Sequence, residues 1–181
     1  MRERAFFGAF VALFIVSAAA QDSIAVKPYD VAEAYQIYDL LVPKEESYRI
    51  TQDSLLIRQQ TVGDSALSPK CLTPEAESKF RDAIAAFNDM ASTKWLLQPK
   101  FQVGKPYELV GKDVLAALPH EQGKGAYLEM SAVGFNHEKT HAVVFISSKC
   151  SGLCGSSKYH LVQKTLGRWK EVSGVTCATT S

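Results

Sequence analysis

Neither sign of charge dominates the chain: 20 Lys and Arg stand against 19 Asp and Glu among 181 residues, a formal net charge of +1. Without a basic excess there is no electrostatic footprint for nucleic acid or an anionic membrane, so neither is expected as a partner. Internal repeats and low-complexity tracts are missing too. With 46% hydrophobic and 22% charged residues, the composition is that of a globular domain and excludes disordered, collagenous and coiled-coil chains. There is no G-x-S-x-G nucleophile elbow, no phosphate-cradling glycine loop and no acidic calcium loop. No cofactor is expected, and the remaining partner classes are an unknown protein or a small-molecule ligand.

Long apolar runs are absent except at the start. Arg2 and Arg4 precede the apolar stretch Ala5–Val16, and Ser17, Ala18, Ala19 and Ala20 close it with small residues. A basic segment, an apolar segment and an A-x-A site predict a signal peptide over 1–20 with Gln21 as the new N-terminus. The run is too short for a membrane helix, which needs about 20 apolar residues. Its removal leaves 18 basic and 18 acidic residues. The expectation is one α+β domain over 21–181, secreted or periplasmic, with no membrane contact after cleavage.

Cysteines number only four: Cys71, Cys150, Cys154 and Cys177. In an oxidising compartment an even count predicts bridges, and four cysteines allow three connectivities. The Gly- and Ser-rich segment around Cys150 and Cys154 favours a local bridge, leaving Cys71 for Cys177. The alternative is a thiol-redox protein at this C-x-x-x-C loop, but the loop lacks the two-residue spacing and helix N-terminus that lower a thiol pKa.

Periodicity predicts a helix over Asp30–Val42, with Asp30 and Glu33 as capping residues and Pro43 as the stop. Ser47–Thr61 reads as one or two strands. Thr73-Pro74-Glu75 begins a second helix to about Ser92, with Ala76, Phe80, Ala83, Ile84, Phe87 and Met90 on its apolar stripe. A short helix is expected over Asp113–Leu118. From Ala126 the chain turns to β-branched and aromatic runs, with strands over 127–135, 140–148, 158–165 and 168–175 and a tight turn at Leu166-Gly167. The fold class is therefore α+β, with N-terminal helices on a C-terminal antiparallel meander that buries one face and leaves the other open. Tyr127, Tyr159 and Trp169 are candidates for a binding surface on that open face; core packing is the plainer alternative.

His137-Glu138-Lys139-Thr140-His141 spells H-E-x-x-H, in which two histidines one helical turn apart bind zinc and the glutamate is the general base. That chemistry needs a helix. Gly134 and Asn136 before the motif and Ala142-Val143-Val144-Phe145-Ile146 after it predict instead a hairpin tip over Asn136–Lys139, with His141 opening the next strand. No catalytic residue and no metal site is assigned. The enzyme alternative is a zinc-dependent hydrolase with His137 and His141 as ligands and Glu138 as base. A weaker alternative joins them to His160 in a non-catalytic surface metal site, and His120 is read as solvated.

The segments Val133-Gly134-Phe135-Asn136, Cys150-Ser151-Gly152-Leu153-Cys154-Gly155 and Gly167-Arg168-Trp169 resemble a group of uncharacterised exported bacterial proteins. Those carry a VGFN turn, a C-x-x-L-C-G loop and a closing G-x-W strand. The resemblance covers roughly the last third of the chain, with a weaker echo around Tyr35 and Tyr38. It implies a bacterial source and a small α+β fold of cystatin-like or NTF2-like shape, and brings no activity. The leading expectation is thus an exported, disulfide-stabilised, non-enzymatic binding module.

Overall fold

A computed structural model of the protein describes residues 26–46, 53–63, 66–119, 125–150 and 155–180. The expected signal peptide, residues 47–52 of the first strand region, His120 and Cys154 lie outside them. In chain order the elements are α1 (Ala32–Glu46), β1 (Leu55–Arg58), α2 (Pro74–Met90), β2 (Tyr107–Val110), α3 (Lys112–Ala116), β3 (Tyr127–Met130), β4 (Gly134–Phe135), β5 (His141–Lys149), β6 (Ser156–Thr165), β7 (Arg168–Val172) and β8 (Ala178–Thr180).

The start of α2 follows from its residues. Thr73 has extended backbone and its hydroxyl accepts from the Ala76 N–H at 3.3 Å, Pro74 opens the helix, and Glu75 and Glu77 sit in the first turn, where the helix dipole favours acidic groups. Its buried side chains are Ala76, Phe80, Ala83, Ile84 and Phe87, the three- and four-residue spacing of one face. In α1 the structure corrects the expected stop: Pro43 lies inside the helix, which runs on to Glu46. Lys44 anchors this extra turn by a 2.9 Å bond to Glu171 on β7. Asp30 lies outside α1, and its carboxylate is taken by Lys100.

The fold is α+β, but the sheet is mixed. Its order is β2-β1-β3-β5-β6-β7, with β4 beside β5 and β8 beside β6. β1 runs parallel to both β2 and β3, whereas all other pairs are antiparallel. Consecutive antiparallel neighbours run only from β4 through β5 and β6 to β7, and β8 returns to β6, so the sheet is not the simple meander expected. β5 and β6 are the long members, and each has two short strands sharing its outer edge. Leu166 and Gly167 join β6 to β7 with φ of 50° and 75°, the paired positive values of a type I′ hairpin turn.

Both faces of this sheet are covered, which corrects the expectation of one open face. Along β5, Ala142, Val144 and Ile146 enter the core beneath α1, with Tyr38, Leu41, Leu128 and Val162. Val143 enters a second core beneath α2, with Phe80, Phe87 and Leu161. A strand buried on both sides reads as an unbroken apolar run, and Ala142–Ile146 is one.

After β7 the chain leaves the sheet at Ser173 and crosses to the start of α2. There Thr73 N–H donates to the Gly174 carbonyl at 2.9 Å, and Thr176 N–H donates to the Cys71 carbonyl at 2.8 Å. The Cys71–Cys177 disulfide, spanning 106 residues with a Cα separation of 4.8 Å, pins the crossing before the chain returns as β8.

Gly134 sits where α2 and β4 nearly touch: a Cβ there would lie 2.4 Å from both the Cβ and the backbone nitrogen of Phe87. Gly134→Ala is expected to destabilise the protein by about 3 kcal/mol, since overpacking against backbone has no side chain to move aside. Urea unfolding monitored by tryptophan fluorescence measures this.

Candidate functional site

The H-E-x-x-H residues form the tip of the β4–β5 hairpin. Asn136 organises it: its side-chain oxygen accepts from the N–H groups of Thr140 (2.8 Å) and His141 (2.9 Å), and its backbone N–H donates to the His141 carbonyl. Lys139 takes a φ of 50°, a left-handed residue that no continuous helix contains. His137 points into solvent at 97% side-chain exposure, while His141 packs edge-on against Phe80 with ring centroids 4.9 Å apart. The zinc-hydrolase alternative is overturned, because a bend separates the two imidazoles. His160 lies elsewhere, on β6 facing α1. Among the described residues no group of three or more His, Cys, Asp or Glu is placed to hold a metal. Burial and the nearby Lys79 push the His141 pKa below its ordinary value, partly offset by Glu138.

The proposed aromatic surface does not assemble. Trp169 is buried in the core beneath α1. Tyr159 belongs to the opposite face, against Phe145 and Phe87, with its hydroxyl donating to the Ala66 carbonyl at 3.2 Å. The two rings lie on opposite sides of the sheet because adjacent strand positions alternate. Tyr127 is half-buried on β3 across from Lys149. Cys150 is disulfide-bonded; its expected partner, Cys154, lies outside the described residues, and so does the redox alternative at that loop.

The structure assembles a polar group that the sequence reading did not single out. His160 is 1% exposed, with Nδ1 2.7 Å from a Glu171 oxygen and Nε2 3.5 Å from a Glu45 oxygen. Glu171 also accepts from Lys44 at 2.9 Å and Lys158 at 3.1 Å. Its carboxyl is held well below the ordinary range, first by the His160 bond and then by the two lysines, against the opposing effect of burial. Strand counting contains a signal for this group. The two-residue turn sets Val162 opposite Glu171, and residues two apart share a face, so Lys158, His160 and Glu171 fall together. Glu45 and Lys44 arrive only because α1 runs past Pro43. The two carboxylates face different ring nitrogens, so they do not converge on one metal position. Among the described residues no hydroxyl or thiol is bonded to the imidazole, and its burial bars a substrate.

Two cavities flank the Ser173–Gly174 crossing. One of about 360 Å³ is lined by Lys158, Tyr159, Glu171 and residues 172–175. The other, about 570 Å³, lies between the first turns of α2 and the end of β7, lined by Thr73, Glu75, Lys79, Phe80 and again Val172, Ser173 and Gly174. Both fall in the size range of small-ligand sites, about 300–1,000 Å³. The chain matches no protein-family model, no curated protein and no solved structure.

The stability tied to Glu171 is present above its ordinary pKa of 4.5 and is lost as acid protonates it, because folding depresses its pKa. Burial-depressed His141 has the same sign, losing its contribution as pH falls through the ordinary histidine value of 6.5. Glu171→Gln is expected to be less stable than wild type at neutral pH, with the difference shrinking below pH 4.5. Unfolding free energies of both proteins across that range measure this.

Proposed function

We propose that the protein is an exported, disulfide-stapled, non-enzymatic binding module that takes a small polar ligand in the clefts flanking Ser173-Gly174. Export rests on the signal-like segment of residues 1–20 and agrees with the Cys71–Cys177 bridge, which suits an oxidising compartment. The likeness of the last third to exported bacterial proteins points the same way. The non-enzymatic reading rests on the hairpin tip and on the inaccessible imidazole of His160.

The observation that carries the site is the convergence of the two cavities on one short segment. That segment is fixed from one side by backbone bonds to Thr73 and Cys71 and by the disulfide, so its position is set before a ligand arrives. The walls offer both signs of charge, from Lys79, Lys158, Glu75 and Glu171, and two aromatic side chains, Phe80 and Tyr159. They suit a compact zwitterion such as a free amino acid.

Free amino acids titrated into the disulfide-intact protein are expected to shift the amide resonances of residues 172–174 and of Lys79 and Lys158, without being consumed. Ser173→Trp fills the clefts and abolishes those shifts. Shifts confined to another surface, or turnover of the added compound, defeat the reading.

A further inference from the structure

His160, on β6, is clamped between two other elements. Glu171 reaches Nδ1 from β7 and Glu45 reaches toward Nε2 from the last turn of α1, while its cross-strand neighbour on β5 is the apolar Val144. Among the described residues the other charges facing the cluster are Lys44 of α1 and Lys158 on β6 itself, both bonded to Glu171.

These contacts dictate where the ring protons sit. An ionised carboxylate only accepts hydrogen bonds, so at 2.7 Å from Glu171 the Nδ1 atom carries a proton and donates it. In a neutral imidazole that is the single ring proton. Nε2 is then a bare lone pair, buried and without a hydrogen-bond partner among the described residues, facing the Glu45 carboxylate at 3.5 Å. In the imidazolium the same atom bears a proton directed at that carboxylate, and repulsion becomes a charge-assisted attraction.

The last turn of α1 is built to respond. Pro43 has no N–H, so this turn lacks one backbone bond that a helix interior would have. Its seating depends correspondingly more on the side chains of Lys44 and Glu45. We propose that His160 is a protonation latch: the doubly protonated ring ties Glu45 to Glu171 and seats the end of α1 on β6 and β7, and loss of the Nε2 proton releases that turn. Acid closes this seam and base opens it, opposite in sign to the acid losses at Glu171 and His141.

The test is amide hydrogen exchange of Lys44 and Glu45 in the disulfide-intact protein, combined with ¹⁵N spectra of the imidazole, between about pH 8 and about pH 5. Protection, corrected for intrinsic exchange rates, is expected to rise about tenfold on acidification, the size of one hydrogen bond to a charged group. The ring is expected to show both nitrogens protonated in the protected state and only Nδ1 protonated in the exposed state. Glu45→Gln keeps the Glu171 contact and is expected to flatten the dependence, as is His160→Gln. Should His160→Gln not fold, the Glu45→Gln comparison decides. Protection that ignores pH in the wild type, falls on acidification, or keeps its full dependence in Glu45→Gln overturns the latch.

Discussion

The ladder between β5 and β6 is the constraint from which the rest of the structure follows. It pairs eight positions, from His141 with Gln163 to Ser148 with Ser156, and alternation along it feeds two separate cores. Ala142, Val144, Ile146 and Val162 go beneath α1, while Val143 and Leu161 go beneath α2. A one-residue slip would exchange these sets and carry His160 from the α1 side to the α2 side. The polar residues at its other end support the same register, since Ser147 meets Ser157 at 2.8 Å and Ser148 meets Ser156 at 2.9 Å.

Signals confined to a few neighbouring residues were readable in the sequence. Thr73-Pro74 starts α2, Leu166-Gly167 turns the hairpin, and Asn136 makes the tip that removes the zinc reading. Information that depends on contacts distant in sequence was not. β2 lies in a short stretch of mixed polar and apolar residues and exists because Tyr107–Val110 finds β1 to pair with. Pro43 is locally a helix stop, overridden by a lysine that meets its partner 127 residues away. The open sheet face failed for the same reason, as the apolar alternation of β5 is complete only when both helices are counted.

The candidate site was half legible. Cys71 and Cys177 pair once Cys150 is committed elsewhere, and the hairpin register alone gathers Lys158, His160 and Glu171 on one face. Neither reveals the clefts, which arise because residues 173–177 leave the β6 edge to reach Cys71 and return as β8. Gly174 permits this route: its φ is +134°, and a Cβ there would lie 2.6 Å from that of Ala76. Backbone strain, close approach and a covalent bond thus meet in one short segment, and a cavity lies on either side of it.

Glu171 joins the latch to the clefts. Its carboxylate accepts from His160, Lys44 and Lys158, and it also lines the smaller cavity. Under the proposed function, a ligand ammonium bound there would compete with those donors for the same two oxygens. If it draws Glu171 away from Nδ1, the ring loses the contact that fixes its proton, and the pull on Glu45 weakens with it. Binding linkage is reciprocal, so whatever ligand binding does to the protonation of His160, that protonation does to ligand affinity. A buried ion cluster is weak support for stability when its partners are counted against their desolvation. Its position here, between a helix end lacking a backbone bond and the wall of a cleft, accounts better for its presence than stability does.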